Sequence, residues 1–166
     1  MPVNINRKHI YFVIIAVFFT ELVLSGFPAI SSVKPELLLI TTIFLASHFG
    51  AKWGVGSGAL CGFLKDILSV TTFGINTAAF CVIGLLTGAL RAKLVRENIL
   101  TQFFLSGIAV LIYGGIYFLY LETVTETQSF GIFWQMVFCK AFVTALVAPL
   151  VFLIFNHIFV SGEYRP

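Results

Sequence analysis

The chain has 166 residues, 59% hydrophobic and 10% charged, with a formal net charge of +3 and a mean hydropathy of +1.03. Soluble domains use roughly 25% charged and 45–50% apolar residues, so this composition excludes an ordinary soluble domain and describes an integral membrane protein. The basic residues are too few and scattered for a nucleic-acid surface, and no stretch is long enough for a separate soluble domain, so residues 1–166 are read as a single membrane domain.

The first apolar run, Ile10–Phe27, follows a basic Asn6-Arg7-Lys8 start. It is longer than the apolar region of a secretory signal and is not followed by a clean small-x-small cleavage site, so it is expected to be a retained helix. The second run, Pro35–Gly50, is preceded by Lys34 and opens on Pro35-Glu36. In the third, Trp53–Val70, a stripe of glycines at Gly50, Gly54, Gly58 and Gly62 runs directly into Lys65 and Asp66. Small residues at this spacing let another backbone approach closely. After a polar interruption from Ser69 to Asn76, the fourth run, Asn76–Leu90, carries a second small-residue face at Gly84 and Gly88. Two uses follow from the pattern: the faces pack together as an antiparallel hairpin, or one of them receives a partner's helix. The fifth run is Ile99–Leu121 and the sixth Phe130–Phe159. The sixth exceeds a ~30 Å hydrocarbon core at ~1.5 Å rise per residue, which predicts a kink or break at Pro149. Tyr113, Tyr117, Tyr120 and Trp134 are expected to form an interfacial belt. The fold class is therefore all-α, a polytopic membrane helical bundle of about six transmembrane helices.

With six spans, Arg7, Lys8, Lys52, the basic Arg91–Arg96 loop and Arg165 fall on one side, and Lys34, Glu36, Glu122 and Glu126 on the other. Positive loops stay cytoplasmic, so both termini are predicted to face the cytoplasm.

Four ionisable residues fall inside spans: Glu21, Lys65, Asp66 and Lys140. Counted at the helical rise, Glu21 lies about 17 Å along the first helix, Asp66 about 20 Å along the third and Lys140 about 15 Å into the sixth. A lone charge at mid-bilayer costs roughly 2.5–3.5 kcal/mol, and pairing offsets it. The matched depths predict an Asp66–Lys140 pair with Glu21 close by, and Lys65 snorkelling outward on its long stem.

Cys61, Cys81 and Cys139 all lie in apolar runs and read as small hydrophobes. No metal-ligand spacing, phosphate loop or nucleophile turn is present, which points away from an enzyme and implies neither cofactor nor metal.

The segment Lys34-Pro35-Glu36-Leu37-Leu38-Leu39, then His48-Phe49-Gly50, the glycine run, Gly62-Phe63-Leu64-Lys65-Asp66-Ile67-Leu68 and Phe73-Gly74-Ile75-Asn76 resembles the MreD family, mainly over residues 34–90. That family shows a proline and an acid before a leucine-rich second span, a glycine-rich turn, and a Gly-Leu-Leu-x-Asp stretch before a Leu-Gly or Phe-Gly loop. The chain departs in having Glu36 where aspartate is commoner, and Phe63 and Lys65 within the acidic motif. The resemblance implies a non-enzymatic scaffold of the bacterial rod complex in the inner membrane. It would act with an MreC-like protein and, directly or through it, with MreB, RodA and a class B penicillin-binding protein; self-association into a homo-oligomer is compatible. The family is also similar in fold to the six-helix substrate-binding subunits of energy-coupling-factor transporters, so vitamin binding is the alternative. A scaffold is expected to lack a deep polar pocket opening outward, whereas a vitamin binder needs several convergent polar groups, for which Thr71, Thr72, Asn76, Glu122 and Gln128 are candidates.

Overall fold

A computed structural model describes residues 7–25, 34–69, 73–91, 98–124 and 130–160. Within them are α1 (Arg7–Ser25), α2 (Leu37–Phe49), α3 (Ala51–Leu68), α4 (Ile75–Leu90), α5 (Ile99–Val124) and α6 (Phe130–Val160), and no strand occurs among the described residues. Each apolar run of the sequence is one helix. Two helical stretches, Ile99–Thr123 in α5 and Phe133–His157 in α6, are long and apolar enough to cross a membrane by themselves. Phe12–Val23, α2 and α4 are shorter apolar helices.

Two glycines set the boundaries of the central elements. Gly50, at φ 90°, separates α2 from α3. Its N–H donates to the Ala46 carbonyl at 2.8 Å and its own carbonyl accepts from Gly54 N at 2.9 Å, so one residue closes one helix and opens the next. Gly74, at φ 95°, opens α4, and its carbonyl accepts from Ala78 N at 3.0 Å. Only glycine adopts such a φ without steric cost.

α2 is the axis of the bundle, in contact with all five other helices. Leu38 through Ser47 are buried without interruption. Its Phe44 ring meets Phe152 and Phe155 of α6 edge-on, each at 5.2 Å between centroids. The hydroxyls of Thr41, Thr42 and Ser47 donate to carbonyls of their own helix at 2.9, 3.1 and 2.9 Å, so none is left unsatisfied in the apolar interior.

The most extensive helix pair is α3 with α4, followed by α5 with α6. The glycines explain the first. A Cβ on Gly58 would lie 2.5 Å from the Phe80 carbonyl oxygen, one on Gly62 2.5 Å from Thr77 Cα, and one on Gly88 2.5 Å from Ala51 Cα. Gly54 and Gly84 oppose each other backbone to backbone. Gly56, off this face, has nothing within 4 Å of its would-be Cβ. Of the two uses open for the small-residue faces, the hairpin is the one observed, and α4 occupies the surface a partner helix would need.

Two expectations are corrected here. α6 is not broken at Pro149: the helix is continuous from Phe130 to Val160 with the proline inside it. Tyr113 is not part of an interfacial belt; it is buried, turned inward from α5 to Asn76. Of the three cysteines, Cys61 is buried, Cys81 half-buried and Cys139 exposed on the apolar α6.

Candidate functional site

The acids inside the bundle first satisfy backbone. A helix N-terminus carries N–H groups without intrahelical acceptors and a partial positive charge. At the start of α2, Glu21 of α1 accepts from Leu38 N through Oε2 at 3.0 Å. At the start of α4, Asp66 of α3 accepts through Oδ1 from Asn76 N at 3.1 Å and from Asn76 Nδ2 at 2.9 Å. Its Oδ2 accepts from Thr77 N at 3.1 Å and Thr77 Oγ1 at 2.5 Å. Each acid therefore caps the helix that follows its own. Asn76 extends the second cap, since its Oδ1 accepts from Tyr113 Oη at 2.6 Å and its Nδ2 donates to Ser69 Oγ at 3.3 Å.

The charge pairs converge on Glu36, which the sequence puts at the outer edge of the second run and outside the set of intramembrane charges. Glu36, fully buried just ahead of α2, takes Lys65 Nζ on Oε2 and Lys140 Nζ on Oε1. Its backbone N–H donates to Thr144 Oγ1 of α6 at 3.2 Å, which fixes the carboxylate between α3 and α6. Lys65 also lies 3.5 Å from Glu21 Oε1, and its ammonium sits over the rings of Phe80 at 5.8 Å and Tyr113 at 5.4 Å. Opposite charge and ring faces together offset part of the desolvation of a buried ammonium.

The structure thus brings Glu21, Lys65 and Lys140 together around Glu36, and places Asp66 beside them in a separate role. The expected Asp66–Lys140 pair is replaced by Glu36–Lys140, because both Asp66 oxygens are committed to the α4 N-terminus. Lys65 points inward to two carboxylates rather than snorkelling outward. Glu36 was missed because an acid opening the second run beside Lys34 and Pro35 reads as an outer-surface charge, although it precedes α2 and lies buried. Its position between Pro35 and a leucine run was the available signal. Gly50, Gly54, Gly58, Gly62, Gly84 and Gly88 serve the α2–α3 turn and the α3–α4 contact described above.

A cavity of about 350 Å³ borders the cluster, lined by Lys34, Glu36, Lys65 and Ser69, by Val110, Tyr113, Gly114 and Tyr117 of α5, and by Phe133, Met136, Val137 and Lys140 of α6. Lys34, Glu36, Lys65 and Lys140 give it charged groups, while most of its wall is apolar or aromatic. The candidates for polar lining do not supply it: Asn76 is buried in the Asp66 cap, Glu122 is exposed, and Thr71, Thr72 and Gln128 lie outside the described residues. The Arg91–Arg96 loop beyond Arg91, Glu126 and Arg165 also lie outside them.

Chemically, the cluster couples three helices through one carboxylate and two ammoniums. Among the described residues no group of three or more His, Cys, Asp or Glu side chains is arranged to hold a metal ion. A family model described as rod shape-determining protein MreD matches residues 6–158. No curated protein and no solved structure matches the chain.

Proposed function

The chain belongs to the MreD family of rod shape-determining membrane proteins, and on that premise we propose that it is a non-enzymatic scaffold subunit of the bacterial side-wall elongation complex. In this reading it crosses the inner membrane six times with both termini in the cytoplasm. It holds an MreC-like protein and, directly or through it, MreB, RodA and a class B penicillin-binding protein. The observation that carries the reading is the family match over residues 6–158, nearly the whole chain. The charge cluster supports it: its acids and bases are spent on helix ends and on one another, which suits a rigid body better than a reaction centre. Because α4 covers the glycine face, partner contact falls to the outer apolar faces, such as Phe138, Phe142 and Leu146 of α6.

The cavity favours a second reading, the substrate-binding subunit of an energy-coupling-factor type transporter, since its volume is within the roughly 300–1,000 Å³ of small-molecule sites. Affinity purification of the tagged protein from mild detergent, with copurifying proteins identified, separates the two. MreC-like and cell-wall proteins support the scaffold; ATPase subunits in their place refute it.

A further inference from the structure

The α5–α6 pair meets the rest of the bundle along a seam that is filled unevenly. α5 packs on α6 far more extensively than either packs on α2 or α4. A Cβ on Gly114 would lie 2.5 Å from Val137 Cγ1, and the Phe118 ring meets Phe133 at 5.2 Å, so the two helices form one closely packed piece. α3 and α4 form another, through their glycine contact and through Asp66, which ties α3 to the start of α4. Away from where α5 ends and α6 begins, the seam is aromatic: Phe44 of α2 meets Phe152 and Phe155 edge-on. Toward the other end it is polar and hollow. Three contacts cross it there: Lys140 pairs with Glu36, Thr144 Oγ1 accepts from Glu36 N at 3.2 Å, and Tyr113 Oη donates to Asn76 Oδ1 at 2.6 Å. The cavity of about 350 Å³ lies in the same stretch, with α5 and α6 on one side and Lys34, Glu36, Lys65 and Ser69 on the other.

Side chains that face empty space have few dispersion contacts to lose on separation, whereas the aromatic end would lose packed ring area. Hydrogen bonds can also be exchanged for bonds to water, which apolar contacts cannot. We propose that the α5–α6 pair is a hinged unit, with the Phe44–Phe152–Phe155 contact as its pivot and the Glu36–Lys140, Glu36–Thr144 and Tyr113–Asn76 contacts as a latch whose release opens the cavity. Lys140 lies ~18 Å from Phe152 along α6, so a tilt of about 10° separates its ammonium from Glu36 by about 3 Å, past hydrogen-bond reach, and moves Leu119, ~30 Å from the pivot, by about 5 Å. Closed, the two pieces form the single rigid body that a scaffold presents. Open, the same end of the bundle changes shape without any helix unfolding. The inference goes beyond the scaffold role and does not depend on it, because both pieces and the latch lie within this chain.

The test measures distances by pulsed electron paramagnetic resonance on the purified full chain in lipid nanodiscs, after Cys61→Ala, Cys81→Ala and Cys139→Ala remove the native thiols. One label pair, on cysteines introduced at the exposed Ile67 and Leu119, spans the latch end; the other, at the exposed Leu90 and Ile154, spans the pivot end. With the latch intact each pair is expected to give one distance, the open state being a minor one of about 1%. Tyr113→Phe/Thr144→Val removes two latch hydroxyls with little change of size, and the loss of two hydrogen bonds should raise the open population about thirtyfold, to roughly a quarter of the molecules. A second Ile67–Leu119 distance, longer by about 5 Å, is then expected while the Leu90–Ile154 distance stays unchanged. Lys140→Gln, which leaves Glu36 paired with Lys65, releases the third contact and should add the same longer distance; it decides alone if the double variant does not accumulate. The longer component in either variant, confined to the latch end, supports the hinge. Its absence from both, or broadening of the two label pairs alike, overturns the proposal.

Discussion

Replacing Glu36 by Gln tests the charge cluster most directly. The substitution keeps side-chain size but leaves the Lys65 and Lys140 ammoniums facing a neutral amide. Breaking a buried pair by removing one partner costs about 3–5 kcal/mol, because the survivor stays charged in a poorly solvated place. Lys65 retains Glu21 at 3.5 Å, and the Lys140 side chain is 27% exposed, so the lower half of that range is expected. Lys140→Met should cost less, since Glu36 keeps Lys65. In the double variant Glu36→Gln/Lys140→Met the orphaned Lys140 charge is gone, so the combined loss should fall short of the sum by about 1 kcal/mol or more. The assay is reversible unfolding of purified protein in mixed micelles, with accumulation of tagged protein in cells as a second readout. As a control, Asp66→Asn and Lys140→Met should add to within about 0.5 kcal/mol. Additivity of Glu36→Gln with Lys140→Met, or coupling of Asp66 with Lys140, would refute this assignment of partners.

Gly58→Leu should abolish accumulation, because its Cβ would already lie 2.5 Å from the Phe80 carbonyl oxygen, whereas Gly56→Ala, with open space at the same distance from the helix axis, should accumulate normally; equal tolerance of both, scored by membrane yield, removes the α3–α4 contact as the reason for the stripe. Asp66→Asn should destabilise by about 1.5–3 kcal/mol, since an amide presents a donor where Asp66 accepts from Thr77 N and Oγ1, and Asp66→Glu should not fully restore stability; micelle unfolding reads both. Cysteines introduced at Lys93 and Glu163 should resist an impermeant reagent in intact cells while one at Glu126 reacts, and external labelling at Lys93 would overturn the proposed orientation.

The helices were legible because each is a long apolar run bounded by glycine or polar breaks. Gly54, Gly58 and Gly62 marked a close contact from spacing alone, although spacing cannot say which helix comes close; only α4 lying across the backbone does. The charges were legible as a set and not as pairs. Depth along a helix locates Lys140 and Asp66 at similar levels, but pairing depends on rotation about each axis and on what else competes for each carboxylate. Asp66 is claimed by two backbone N–H groups, a tertiary event whose only trace is Asn76-Thr77 opening the next helix. Glu36 was hidden because an acid beside Lys34 and Pro35 resembles a solvated turn, and nothing local announces that Thr144, more than a hundred residues on, holds its backbone inside.

α2 is surrounded on every side in the finished protein, yet it is synthesised before α3, α4, α5 and α6, which cover it. During that interval its neighbours are lipid or the insertion machinery. Its surface tolerates this: Leu38, Leu39, Ile40, Ile43, Phe44 and Leu45 are apolar around the helix, and its three hydroxyls are already bonded to its own carbonyls. Glu36 is different, because until Lys65 of α3 and then Lys140 of α6 are made, its carboxylate has only water and headgroups to meet its charge. The N-terminal end of α2 must therefore wait at the membrane surface and be drawn inward late. α6, synthesised after the five helices before it, thus supplies the second cation and the Thr144 acceptor that hold the α2 end in place.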